Sequence, residues 1–131
     1  MRPVKRLAAT AVLLVATPVA AVGLGPLVEK GLIDGPTRGF SLTLLNPYRE
    51  PVEFRAYAVG AEDELPQSRV AIYPSAMTLG PGLKRSVLVV ANDLQVDEDY
   101  HFRVCAERAQ PVEGIQINAR VCSKLSVHRV R

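Results

Sequence analysis

The sequence has no tryptophan, three phenylalanines, two histidines and two cysteines in 131 residues. Each scarcity excludes something. With so few aromatics, a core must be built mainly from Val, Leu and Ile. With two histidines and no Gly-x-Ser-x-Gly turn, no set of nucleophile, base and orienting group can be assembled, so a catalytic role is not expected. His-x-His and Cys-x-x-Cys spacings are absent, as is a Met-rich or His-rich start, so neither metal nor cofactor is expected. Beyond the amino-terminal segment no apolar run is long enough to cross a membrane, and none keeps a helical period over three turns.

The amino terminus is different. Met1 to Arg6 is basic, Leu7 to Ala16 is apolar, and Pro18 is followed by the small residues Val19, Ala20 and Ala21. That order reads as a secretory signal peptide over residues 1–21, cut after Ala21. An uncleaved anchor is the competing reading, because no charge occurs from Leu7 to Leu27. Pro18 and its small neighbours favour cleavage and export. The leader holds Arg2, Lys5 and Arg6, and no acidic residue, so three of the 16 basic residues leave with it and the rest of the chain is formally neutral. Nucleic acid therefore loses its electrostatic footing as a partner. Residues 22–131 are enough for one domain and too few for two.

Short alternating runs recur between turn signals. Leu27 to Ile33 is a first strand, ended by Asp34-Gly-Pro36, and Arg38 to Leu45 a second, ended by Asn46-Pro47. Val52, Phe54, Ala56 and Ala58 alternate in a third, Val70 to Tyr73 form a fourth, and Ser86 to Ala91 a fifth after the turn Leu79-Gly-Pro-Gly82. Gly60 to Ser68, with Glu62, Asp63 and Glu64, reads as a solvated loop.

Two further runs close the chain and contain both cysteines. Tyr100, Phe102, Val104 and Ala106 alternate with polar residues, as do Ile115, Ile117, Ala119, Val121, Ser123, Leu125 and Val127 across a turn at Pro111 and Gly114. Setting Cys105 opposite Cys122 places Phe102 against Leu125 and Tyr100 against Val127 on the apolar face, and Glu107 against Arg120 on the polar face. A slip of one residue would turn the apolar side chains to water. Arg103 opposite Lys124 is unfavourable in this register, tolerable only if solvated or if an anion sits there. Two free thiols are the alternative to a bridge, which an oxidising compartment favours and which stabilises by roughly 3 kcal/mol for a loop of this length. In all, seven strands point to an all-β, immunoglobulin-like Greek-key sandwich. Tyr100, after Asp97-Glu-Asp99, fits the tyrosine corner of such folds.

The order of these features resembles the amino-terminal domain of the PapD-like periplasmic pilus chaperones. Lys30 to Asn46 (KGLIDGPTRGFSLTLLN) is similar to that family's first hairpin, Ala71 to Gly82 (containing IYPSAMTLGPG) to its apolar-Pro stretch and Leu-x-Pro-Gly turn, and Ile115 to Val127 (IQINARVCSKLSV) to its last strand. The resemblance implies β-strand addition, in which the last strand is lent to an unfolded pilus subunit. By position, Ile115, Ile117 and Ala119 would be donated, with Val121 as a fourth. Lys124 matches the last-strand Lys that grips the subunit's terminal carboxylate, and Lys30 stands where the family usually has Arg, keeping the charge and losing the bidentate fork. Some members bridge their last two strands, which fits Cys105 and Cys122. The resemblance further implies a secreted polypeptide such as a pilus subunit as client, with an outer-membrane usher or a second chaperone domain in trans as further partners. The family has two such domains around the carboxylate cleft, and this chain is expected to hold one.

Three alternatives remain open at this level. Ile115, Ile117 and Ala119 could be buried in their own sandwich, and Lys30 and Lys124 could be solvated surface lysines. The domain could be a structural or adhesive envelope module. A metal could sit at one end of the hairpin, where the register puts Asp99 opposite His128 with His101 diagonal to both.

Overall fold

The alternating runs fold as strands, and their apolar positions meet between two sheets. The computed structural model describes residues 22–110 and 119–131, which form nine strands and no helix. They are β1 (Gly23–Gly25), β2 (Val28–Ile33), β3 (Arg38–Leu45), β4 (Val52–Gly60), β5 (Val70–Tyr73), β6 (Ala76–Leu79), β7 (Lys84–Ala91), β8 (Asp99–Arg108) and β9 (Val121–Arg129). One sheet has the order β1-β3-β7-β5 and the other β2-β9-β8-β4-β6. Only the β2–β9 pair is parallel. This is the immunoglobulin-like sandwich that the sequence predicts.

The count of seven becomes nine because β1 and β6 lie outside the expected strands. The chain runs as β1 beside β3 before the expected first strand, β2 beside β9, with Pro26 between; after the expected fourth, β5 beside β7, it continues as β6 beside β4, with Pro74 between. Proline has no N–H to give a ladder, so a strand loses least by changing partners there. It follows that β2 and β3 lie in opposite sheets. The segment from Lys30 to Asn46 is therefore not a hydrogen-bonded hairpin.

The terminal hairpin has the predicted register. Cys105 lies opposite Cys122 and is bonded to it, Phe102 faces Leu125, Tyr100 faces Val127, and Arg103 faces Lys124. The expected Glu107–Arg120 pair is not made: β9 begins at Val121, Glu107 pairs with Arg55 across β4, and Arg120 turns to Glu64. Nor does Tyr100 form a tyrosine corner, because its hydroxyl donates to the Gln67 side chain at 2.6 Å and its ring lies under the Arg69 guanidinium.

Phenylalanine matters more to the core than its scarcity implies. Phe40, Phe54 and Phe102 are all fully buried with Leu42, Leu44, Leu94, Leu125 and several valines, whereas Ile33 and Ile72 only flank this cluster. Each such side chain contributes about 1.5–3 kcal/mol on burial. The turn before β7 is tied to the end of β3 through Asn46, which is itself fully buried. At Gly82 the backbone has φ +69°, which glycine adopts without a Cβ clash, and Leu83 N–H closes the turn on Gly80 C=O at 3.2 Å.

The two outer faces differ. Lys30, Lys124, Arg103, Arg55 and Glu107 point outward from the five-stranded sheet, while the other sheet's outer face carries Ser41, Tyr73, Ser86 and Leu88 and no charge at its centre.

Candidate functional site: the Lys30–Lys124 groove and the open edge of β9

Strand parity places both lysines on one face. On β2 the exposed positions are Val28, Lys30 and Leu32, and Val28 lies opposite Lys124 of β9, so Lys30 is diagonal to Lys124. Both line a groove of about 490 Å³ whose second wall is the loop after β4, with Ala61 and Glu62. Among the described residues no carboxylate pairs with either ammonium. His101 and Arg103 of β8 line the same groove.

The loop that forms the wall is held by charge. Arg120, just before β9, makes two hydrogen bonds to the Glu64 carboxylate, at 2.6 and 2.8 Å, and a third to the Tyr57 hydroxyl at 3.2 Å. Arg103 donates from Nε to Gly60 C=O at 2.9 Å, and from Nη2 to Asp63 C=O at 2.8 Å and to Glu64 at 3.2 Å. The hydrogen bond from Arg120, helped by Arg103, holds the Glu64 carboxyl down at about 2 against desolvation. A Cβ at position 60 would lie 2.0 Å from the Asp63 carboxylate oxygen, so a side chain there would turn Asp63 out of its present position.

The pairing of β9 changes at Lys124. From Lys124 to His128 the strand has β8 on one side and β2 on the other, and Lys124 N–H donates to Leu27 C=O at 2.8 Å. Upstream, Val121 to Ser123 pair with β8 alone. By the two-residue period of a strand, the N–H group of Cys122 points to the same side as that of Lys124, where among the described residues no strand lies. Among the described residues, the edge of β9 is thus open before Lys124 and closed after it.

Of the four proposed donor residues, Ala119 and Val121 are half-buried, with Val121 packed against the domain's own core. Ile115 and Ile117 lie outside the described residues. The cysteines form the bridge between β8 and β9. At the far end of the groove His128 Nδ1 lies 2.8 Å from Asp99, with His101 nearby, but among the described residues no three potential ligands converge on one point. Sequence reasoning missed the Gly60–Glu64 wall and its grip on Arg103 and Arg120. Its only trace in the sequence is the unfavourable opposition of Arg103 and Lys124.

By sequence, no family model and no curated protein matches the chain. Solved structures do match it. The Salmonella enterica SafB chaperone, in complex with the SafA pilin, superposes with a TM-score of 0.70 at 19% identity, over 87% of this chain and 57% of its own. The fold is that of a PapD-like chaperone domain. The E. coli chaperone DraB matches with a TM-score of 0.67 at 16% identity, over 83% of this chain and 55% of its own. This chain therefore spans about half the length of the chaperones it matches. A PapD-like domain of human CEP192 also matches, with a TM-score of 0.61 at 15% identity, over 86% of this chain and 87% of that one.

Proposed function

We propose that this PapD-like domain is an exported, periplasmic chaperone module that binds an extended segment of a secreted pilus-type subunit by strand addition to β9. The observation that carries the reading is the change in pairing at Lys124. A strand added along residues 119–123 would continue the line of β2 and end beside Lys30 and Lys124. Two cations at that point favour a carboxylate over an ammonium, so the added strand would run parallel to β9 with its carboxyl terminus in the groove. Ile115, Ile117 and Ala119, with Val121, are the side chains this reading assigns to the client. Residues 1–21 serve as a removed leader, and residues 22–131 as the binding domain. An outer-membrane usher, or a second chaperone domain in trans, would be a further partner.

Affinity capture from a native envelope extract tests the proposal, comparing the mature chain with an Ile117→Asp, Lys124→Ala variant. Retention of a small secreted subunit by the wild type alone supports strand addition. If both retain the same partner, or neither retains any, the mechanism is wrong.

A second reading rests on the other sheet. Tyr73 and Leu88 are 60% and 47% exposed on a face with no central charge, which suits an envelope module that docks a folded partner face to face. Capture insensitive to Ile117→Asp and abolished by Leu88→Asp would favour it.

A further inference from the structure

Neither lysine in the groove is a planar, pre-oriented cation. Arg103 is. It lies directly opposite Lys124 on β8, an arrangement that places like charges on facing positions and is destabilising unless something compensates. The neighbouring loop compensates only in part. Two of the three acceptors around Arg103 are neutral backbone carbonyls, and the third, Glu64, lies nearer Arg120, at 2.6 and 2.8 Å, than Arg103, at 3.2 Å. One carboxylate is thus shared between two guanidinium groups. These contacts use Nε and Nη2 of Arg103, while Nη1 has no acceptor among the described residues. The side chain is 18% exposed and lines the groove, so its orientation is set before any ligand arrives. At the lysine end of the groove Glu62, on the loop wall, is the one carboxylate among the described residues, against the charges of Lys30, Lys124 and Arg103.

We infer that Arg103 is a third anion-binding residue of the groove, supplying a pre-oriented guanidinium to the carboxylate that Lys30 and Lys124 attract. The inference rests on the carboxylate reading of the groove proposed above. Arg103 then determines specificity for a free carboxyl terminus, and the Gly60–Glu64 loop is its positioning scaffold.

The test uses a ten-residue peptide of alternating valine and serine, ending either in a free carboxylate or in a carboxamide, with affinities measured for native protein and variants. Native protein is expected to prefer the carboxylate by about tenfold, the size of a charge-assisted contact. Lys124→Ala and Arg103→Gln should each reduce that ratio by about fivefold, and Arg103→Lys, which keeps the charge and loses the guanidinium held in place by the loop, should restore it only in part. The ratio separates recognition from loop order, since a merely loosened loop would weaken both peptides equally. If Arg103→Gln leaves the ratio intact while Lys124→Ala abolishes it, the role of Arg103 is refuted and the lysine site stands. If native protein binds both peptides equally, or neither, the carboxylate reading itself is refuted.

Discussion

The side-chain amide of Asn46 donates to the carbonyl of Leu79 at 2.9 Å, joining the end of β3 to the turn that leads into β7. The same amide reaches Gly80 C=O at 3.1 Å and Glu50 C=O at 3.0 Å, while its oxygen accepts from Tyr48 N–H at 2.9 Å. Backbone bonds from Asn46 N–H to Leu83 C=O and from Gly82 N–H to Asn46 C=O complete the knot. Two of the sequence stretches that resemble the chaperone family, one ending in Asn46 and one in Gly82, are thus two halves of a single contact.

Removing that amide should be costly, because it strands buried carbonyls. Asn46→Ala is expected to lose about 2 kcal/mol or more, and Asn46→Asp, which sets a carboxylate against the same carbonyls, to lose more. Urea denaturation of the two variants checks the order. A cost below about 0.5 kcal/mol for both would show that the knot does not hold the turn.

The bridge between Cys105 and Cys122 spans 17 positions along the chain and closes the hairpin that carries the proposed donor segment. Replacing both cysteines with alanine should lower stability by about 3 kcal/mol, a fall of roughly 10–20 °C in Tm for a domain of this size. Calorimetry of the double variant, beside wild type with and without reductant, measures it.

Acid should loosen the wall of the groove. Glu64 has its carboxyl lowered from 4.5 to about 2, chiefly by its hydrogen bond from Arg120, and Glu98 is lowered to about 2, chiefly by Arg69. A carboxyl depressed in the folded state stabilises it fully above the unfolded value and loses that contribution as pH falls toward the folded value. The window is therefore from about pH 4.5 down to about pH 2. Wild type should lose Tm across it, modestly because both carboxylates are solvent-screened, and Glu64→Gln and Glu98→Gln should each flatten the slope. Parallel slopes in all three proteins would contradict the assignment.

What was legible in the sequence was local. Period-two alternation and the two cysteines gave the β8–β9 register, because a slip of one residue would have buried Arg103 and exposed Phe102. Sheet switching at Pro26 and Pro74 was not legible, since alternation shows which face a residue takes and not which strand lies beside it. The Glu107–Arg120 pair failed for a related reason. Register put them opposite one another, but a loop carboxylate 56 residues away in sequence, Glu64, takes Arg120 instead. Lys30 and Lys124 were legible one by one through the family resemblance, whereas the groove between them depends on the parallel β2–β9 pairing and on the Gly60–Glu64 loop, both products of the tertiary fold. The opposition of Arg103 to Lys124 was the one local anomaly that pointed to the site.

On this mechanism a client strand pairs with β9 before Lys124 and not after it. Amide hydrogen exchange measured residue by residue, with and without the valine–serine peptide ending in a free carboxylate, tests this most directly. New protection is expected at Cys122, whose N–H faces that edge, and no change at Lys124, which already donates to Leu27. Bound peptide that leaves the exchange of Cys122 unchanged, or that protects β5 and β7 instead, overturns strand addition to β9.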